Sequence, residues 1–255
     1  MAELDKKKII DNKNEAINKI NDYLDNCIIK DNTHAKKANL LSYWLKDYFR
    51  YIDQEETFNS SYLKEYSRGD IVKINLGFNV GNEEGGLHYC VVLDKKNAKS
   101  YSTLTIVPLS SVKNTTKTNK TSVFLGEEIY NSLVDKCNDL IKKGQNEIQI
   151  IKQEIQELKV FPENTDEEKI IKEYRINALN EKLISNQENL ELIFKINEEL
   201  SQMKRGTIAL VNQITTISKQ RIYNPKTDLD ILSGIKLSDE KMALIDNKIK
   251  KLYIN

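Results

Sequence analysis

The stretch from Arg68 to Ser111, RGDIVKINLGFNVGNEEGGLHYCVVLDKKNAKSYSTLTIVPLSS, constrains the fold more than any other part of this chain. It combines β-branched runs, a glycine-rich turn and a histidine within one short span. Residues 70–76 (DIVKINL) alternate polar and apolar side chains, the period of a half-buried strand. Residues 88–93 (HYCVVL) and 103–109 (TLTIVPL) read as a second and a third strand. Between the first two lies Gly77-Phe-Asn-Val-Gly81-Asn82-Glu83-Glu84-Gly85-Gly86. That is more glycine than a simple hairpin needs, and such a loop is expected to expose backbone N–H groups to a ligand. His88 follows the glycines directly, and Ser110 and Ser111 close the third strand.

The N-terminal sixty residues have the helical period instead. Residues 4–30 carry Ile9, Ile10, Ile17, Ile20, Leu24 and Cys27 at steps of three, four and seven. Asp31-Asn32-Thr33 is a capping cluster, and a second helix is expected over about 34–54 with Trp44, Tyr48 and Phe49 on a wide aromatic stripe. That stripe either packs within the protein or docks a partner. His34 has no partner in the sequence and is expected to face solvent. Residues 55–67 are a polar linker. After a further strand at 121–125, strand-like alternation stops. Residues 126–204 read as an antiparallel helical hairpin, broken at Phe161-Pro162 and recapped at Thr165 and Asp166. Gly144 marks a stutter in its first arm. Asn186 and Asn197 are polar residues at seam positions, where they set register. The chain then returns to strands at 206–212 and 213–222 and ends in an amphipathic helix, 239–253.

Composition narrows the function classes. With 30% charged residues and a net charge of +1, the chain has no global electrostatic footprint for nucleic acid, although a local basic site is compatible with it. The basic loop Lys113–Lys120 (KNTTKTNK) either meets RNA phosphates or is simply solvated. Cys27, Cys90 and Cys137 lack metal-ligand spacing and read as reduced, buried thiols. No metal or cofactor is expected. No apolar run is long enough for a bilayer, so a soluble, cytoplasmic protein is expected.

The order RGDI, G-x-E-x-G-G, apolar strand and TIVPLSS resembles the MazF/PemK toxins of toxin–antitoxin systems. A second block, residues 206–222 (GTIALVNQITTISKQRI), resembles the last strands of that family, with its Gln-Ile-x-Thr-Ile core. The resemblance implies an α+β protein: a small SH3-like antiparallel β-barrel, here formed by residues 68–125 and 205–255. The N-terminal helices (1–60) and the inserted hairpin (126–204) are additions to it. It also implies a homodimer, an antitoxin partner, and metal-independent cleavage of single-stranded RNA that leaves 2′,3′-cyclic phosphate and 5′-hydroxyl ends. The positions that match the catalytic arginine and the Thr or Ser of the family are His88 and Ser111. Gly81, Asn82, Glu83, Gly85, Gly86, Gln213 and Thr215 match the substrate-binding segments.

Two of these positions depart from the family pattern. G-G-x-R-P is replaced by G-G-L-His88-Tyr, and the arginine of Gln-Ile-Arg-Thr-Ile by Thr215. Histidine moves protons near neutrality better than arginine but loses the bidentate grip on phosphate. Lys219 and Arg221 compensate only if they point into the groove. Besides the ribonuclease reading, two others stand: a non-enzymatic binder of a protein partner on the same barrel, gyrase-poison-like or regulatory, and a scaffold whose hairpin forms coiled coils between subunits.

Overall fold

The computed structural model describes residues 5–112 and 120–254, so the basic loop lies outside the described residues except for Lys120. Two compact units emerge. One contains the N-terminal helices together with Leu76–Gly86; the other contains Asn59–Asn75 and the chain from Leu87 onward.

In the first unit, α1 (Lys6–Lys30) begins where Asp5 accepts from the N–H of Lys7 at 3.0 Å and of Lys8 at 3.3 Å. A single extended residue, Asp31, ends α1 and caps α2 (Asn32–Asp53), accepting the His34 N–H at 2.9 Å. The other oxygen of Asp31 lies 2.7 Å from His34 Nδ1. His34, expected to stand alone, therefore has a partner in its own first turn, and the His34 N–H holds the Asp31 carboxyl below its usual range. α1 and α2 pack on each other around Cys27 and Ala38, the residues they bury. Much of the apolar stripe, including Ile17, Ile20, Leu40 and Phe49, stays exposed.

The second unit is built on an antiparallel sheet. Its strands are β2 (Ile71–Asn75), β3 (Leu87–Val92), β5 (Thr103–Ser111), β6 (Ser122–Gly126), β7 (Thr207–Leu210), β8 (Thr215–Ser218) and β9 (Ile222–Asn224). Short β1 (Tyr66–Ser67) and β4 (Lys96–Asn97) pair separately. The order is β6-β7-β5-β3-β2-β9, with β8 also on β5. Strand β5 has β3 along one edge. The other edge is shared by β8, against Thr103–Ile106, and β7, against Leu109–Ser111.

The α+β class with its antiparallel strands agrees with the resemblance, but among the described residues the sheet does not close into a barrel. Both ends of the path lead into other elements. β6 runs almost at once into a helix, and β9 stops at Pro225, which has no N–H to extend a ladder. The single closing strand expected over 213–222 is also interrupted. A 3₁₀ turn at Lys219–Arg221 separates β8 from β9, and its Lys219 N–H bonds the Ser102 carbonyl at 2.8 Å.

One face of the sheet carries Ile71, Val91, Val107 and Leu109 into the main core. The covering elements are α3 (Glu128–Lys159), α4 (Asp166–Gln202) and α5 (Asp239–Tyr253), which contribute Leu133, Ile196 and Ile245. Lys136 ties α3 to the loop before α5, donating to the carbonyls of Asp230, Ile231 and Ser233 at 2.8–2.9 Å. α3 and α4 pack together, and α4 opens with a reciprocal capping box between Thr165 and Glu168. At the stutter, Gly144 is buried against Asn186, whose side-chain amide donates to the Gly144 carbonyl at 3.5 Å. A Cβ on Gly144 would sit 3.2 Å from Asn186 Oδ1, so the glycine makes room for the asparagine. All three cysteines are buried free thiols, and burial pushes the Cys137 thiol up. No described helix is long and apolar enough to cross a membrane.

Leu133 is wholly inaccessible in this core. Leu133→Ala is expected to lower unfolding free energy in urea by about 2–5 kcal/mol. A loss well under 1 kcal/mol would mean that α3 does not seal the sheet.

Candidate functional site

Strand β5 is the common neighbour of the candidate residues in the second unit. His88 is the second residue of β3, opposite Ile74 of β2. Alternation sends Tyr89 and Val91 to the core face and turns the His88 ring the other way. The ring stays half-buried, with Nδ1 3.2 Å from the Leu109 carbonyl of β5. A carbonyl can only accept, so Nδ1 carries the hydrogen and the lone pair of the neutral ring is on Nε2. Ser111, two residues beyond Leu109, ends β5 opposite Thr207 and is half-buried. His88 and Ser111 thus stand near the same end of β5 but on opposite faces of the sheet, because Ser111 alternates onto the side of Val107 and Leu109.

On the other edge of β5, Gln213 ends the 3₁₀ turn between β7 and β8 and is half-buried. Thr215 opens β8 opposite Ile106 and is exposed. The two basic residues considered as substitutes for the missing arginines have structural partners. Lys219 is 1% exposed, donates to the Ala98 carbonyl at 2.9 Å and lies over the Tyr66 ring; burial lowers its pKa. Its ammonium points inward and is not placed to bind a phosphate. Arg221 donates from Nε to the Asn75 carbonyl at 2.8 Å.

The core-facing side of β2 and β3 carries a cluster that sequence reading missed. Lys73 lies 2.5 Å from Glu199 of α4, Tyr89 donates its hydroxyl to the same carboxylate, and the Lys73 ammonium lies over the Tyr89 ring. Burial first, and then the Glu199 contact, push the Tyr89 phenol up. The signal was the register position of Lys73 against Tyr89, but nothing in the local sequence pointed to Glu199. The cluster fastens α4 to the strand that carries His88. Among the described residues, no three His, Cys, Asp or Glu side chains gather as a metal-ligand set.

The remaining candidates, Gly81, Asn82, Glu83, Gly85 and Gly86, lie in the Leu76–Gly86 segment of the first unit. Gly81, Asn82, Glu83 and Gly86 are exposed. The segment is closed by its own backbone: Leu76 N–H bonds the Gly86 carbonyl at 2.7 Å, and Gly86 N–H bonds the Gly77 carbonyl at 2.6 Å. Glu83 accepts from the Val80 N–H at 3.2 Å, so this carboxylate braces the turn. The glycines are explained in part by packing. A Cβ on Gly77 would come within 2.7 Å of the Trp44 ring, and one on Gly85 within 2.8 Å of the Gly77 carbonyl. The expectation of a loop opened by glycine for a ligand is therefore modified: Gly77 and Gly85 allow close approach within the protein itself.

Trp44 is the single tryptophan of the chain and reports on this contact. Gly77→Ala should shift its emission to the red, because the added methyl, at a backbone φ of +88°, displaces the ring. Unchanged emission would show that Trp44 does not rest on the loop.

Residues 67–142 match the family model described as PemK-like, MazF-like toxin of type II toxin–antitoxin system. The matched segment takes in the strands that hold His88 and Ser111 and ends inside α3. No curated protein matches the chain. In residues 67–142 the chain thus carries a domain of the PemK-like, MazF-like toxin family of type II toxin–antitoxin systems.

Proposed function

We propose that the protein is a toxin that cleaves single-stranded RNA without a metal ion. The observation that supports this reading is the Nδ1 contact of His88 with the Leu109 carbonyl at 3.2 Å, which holds the imidazole on β5 with Nε2 as the acceptor of the neutral ring. Nε2 takes the proton of the 2′-hydroxyl as that oxygen attacks the adjacent phosphorus. Ser111, on the other face of the same strand end, donates its hydroxyl to a non-bridging oxygen of a phosphate bound across that end as charge builds on the phosphorane. The imidazolium then returns a proton to the departing 5′-oxygen. The products are a 2′,3′-cyclic phosphate and a 5′-hydroxyl end. Gln213 and Thr215 offer hydrogen bonds to a base of a splayed strand.

In this reading the residues 68–125 and 205–255 form the toxin domain. Residues 1–60 are a helical extension and 126–204 an inserted hairpin. The protein works in the cytoplasm as a homodimer and is held by an antitoxin, the partner that type II toxin families imply. The inward-pointing Lys219 favours a second reading, a toxin-fold binder of a protein partner, because it removes one cation from the phosphate site.

Cleavage of an unstructured, mixed-sequence RNA in EDTA separates the two. Wild type should give cyclic phosphate ends, and His88→Ala should lose roughly a hundredfold or more in rate, the scale of general acid–base work. Ser111→Ala should retain binding but slow the reaction. No cleavage by wild type would favour the binder, and cleavage untouched by His88→Ala would remove the histidine from the mechanism.

A further inference from the structure

The inserted hairpin has one closed side and one open side. On α3, Cys137, Gly144, Ile151 and Leu158 recur every seven residues and are buried; on α4, Leu179, Asn186 and Ile193 do the same. A second stripe runs beside each buried line. It comprises Ile141, Ile148 and Ile155 on α3 and Ile176, Leu183 and Leu190 on α4, all between 38 and 48% exposed.

Where do these half-covered stripes lie? Two helices that pack with opposite direction bring the same heptad flank of each to the same side. Glu154, just before Ile155, lies 2.5 Å from Lys182, just before Leu183. This ion pair closes the flank that precedes the stripes, and nearer the sheet Leu140 and Ile196 of that flank pack into the main core. Both half-exposed stripes therefore fall together on the opposite side. Ile184 and Phe194, also exposed, extend the apolar surface there.

The rim of this face is charged, with opposite sign on its two helices. Residues one or four beyond the stripe are Lys142, Lys152 and Lys159 on α3, all exposed. The corresponding α4 positions include Glu173, Glu191 and Glu198, also exposed. Gly144 lies level with Asn186, and Glu157 with Arg175 at 2.7 Å. On that scale, Lys159 stands at the height of Glu173, and Lys142 near that of Glu191.

We propose that this face binds the same face of a second copy of the chain, giving an antiparallel four-helix bundle. A two-fold axis parallel to the helices sets α3 of one copy over α4 of the other. Ile and Leu then meet Ile and Leu along the seam, and the lysine rim meets the glutamate rim. The alternative two-fold, with α3 over α3, sets lysine against lysine and is disfavoured. The association is independent of the ribonuclease reading and of any pairing through the sheet.

The test is the mass of the full-length protein by sedimentation over a range of micromolar concentrations. Wild type should dimerise. Leu183→Asp, in mid-stripe, should halve the assembled mass by removing the hairpin association, whether or not the chains also pair through the sheet, while circular dichroism retains the helices. Lys142→Glu with Lys159→Glu should weaken dimerisation roughly tenfold, as should Glu173→Lys with Glu191→Lys, and the four changes together should restore it. The four rim positions are exposed, so these variants remain informative even if Leu183→Asp does not fold. A monomeric wild type, a dimer indifferent to the rim substitutions, or a fourfold variant no better than either pair would overturn the proposal.

Discussion

A nine-residue strand must satisfy backbone groups on both of its edges, and β5 does so in a way that organises the second unit. One edge is taken by β3. The other is divided between β7 and β8, which arrive only after the chain has passed through α3 and α4. This division creates the short gap that the Val211–Gln213 turn fills, and it puts Gln213 and Thr215 on β5 opposite the edge that His88 reaches. The candidate chemistry is thus a product of strand pairing. His88 is fixed against β5 by the β3–β5 ladder and the bond to Leu109, while Ser111 is held at the end of the same strand by its pairing with Thr207.

Two half-buried polar arrangements hold the additions to the sheet. The Lys73–Glu199–Tyr89 cluster attaches the end of α4 to β2 and β3, and the three carbonyl contacts of Lys136 attach α3 to the loop before α5. Both join segments far apart in the chain. Charge-assisted hydrogen bonds have stricter geometry than apolar contact, so they define where a helix sits, while Leu133, Ile193 and Ile196 supply the area removed from water.

What could be read from the sequence depended on whether the cause was local. The hairpin break at Phe161-Pro162, the cap at Thr165 and the final helix were legible because capping and periodicity act over a few residues. Gly144 and Asn186 were legible as irregularities in a heptad, although not as each other's partners. The interruption at Lys219 was not legible: Gln213–Ile222 alternates like a strand, and only tertiary burial draws the Lys219 ammonium to the Ala98 carbonyl. The open sheet was hidden for the same reason. At the candidate site, His88 and Ser111 could be picked out by motif, whereas the acceptor that sets the His88 tautomer is a main-chain carbonyl and leaves no mark in a sequence. The glycine-rich segment misled in part, since glycine admits a ligand and an indole ring equally well.

The position of the hairpin between β6 and β7 also bears on how the chain finds its fold. Val123 pairs with Ala209 across the whole length of both long helices. As an open loop, that span makes the contact distant and entropically costly to close. Helical contacts are local and form quickly, and a hairpin returns its ends to one place. Once α3 and α4 are together, Gly126 and Thr207 become neighbours in effective chain distance, and the last strands can add to β5 as though no insertion were present.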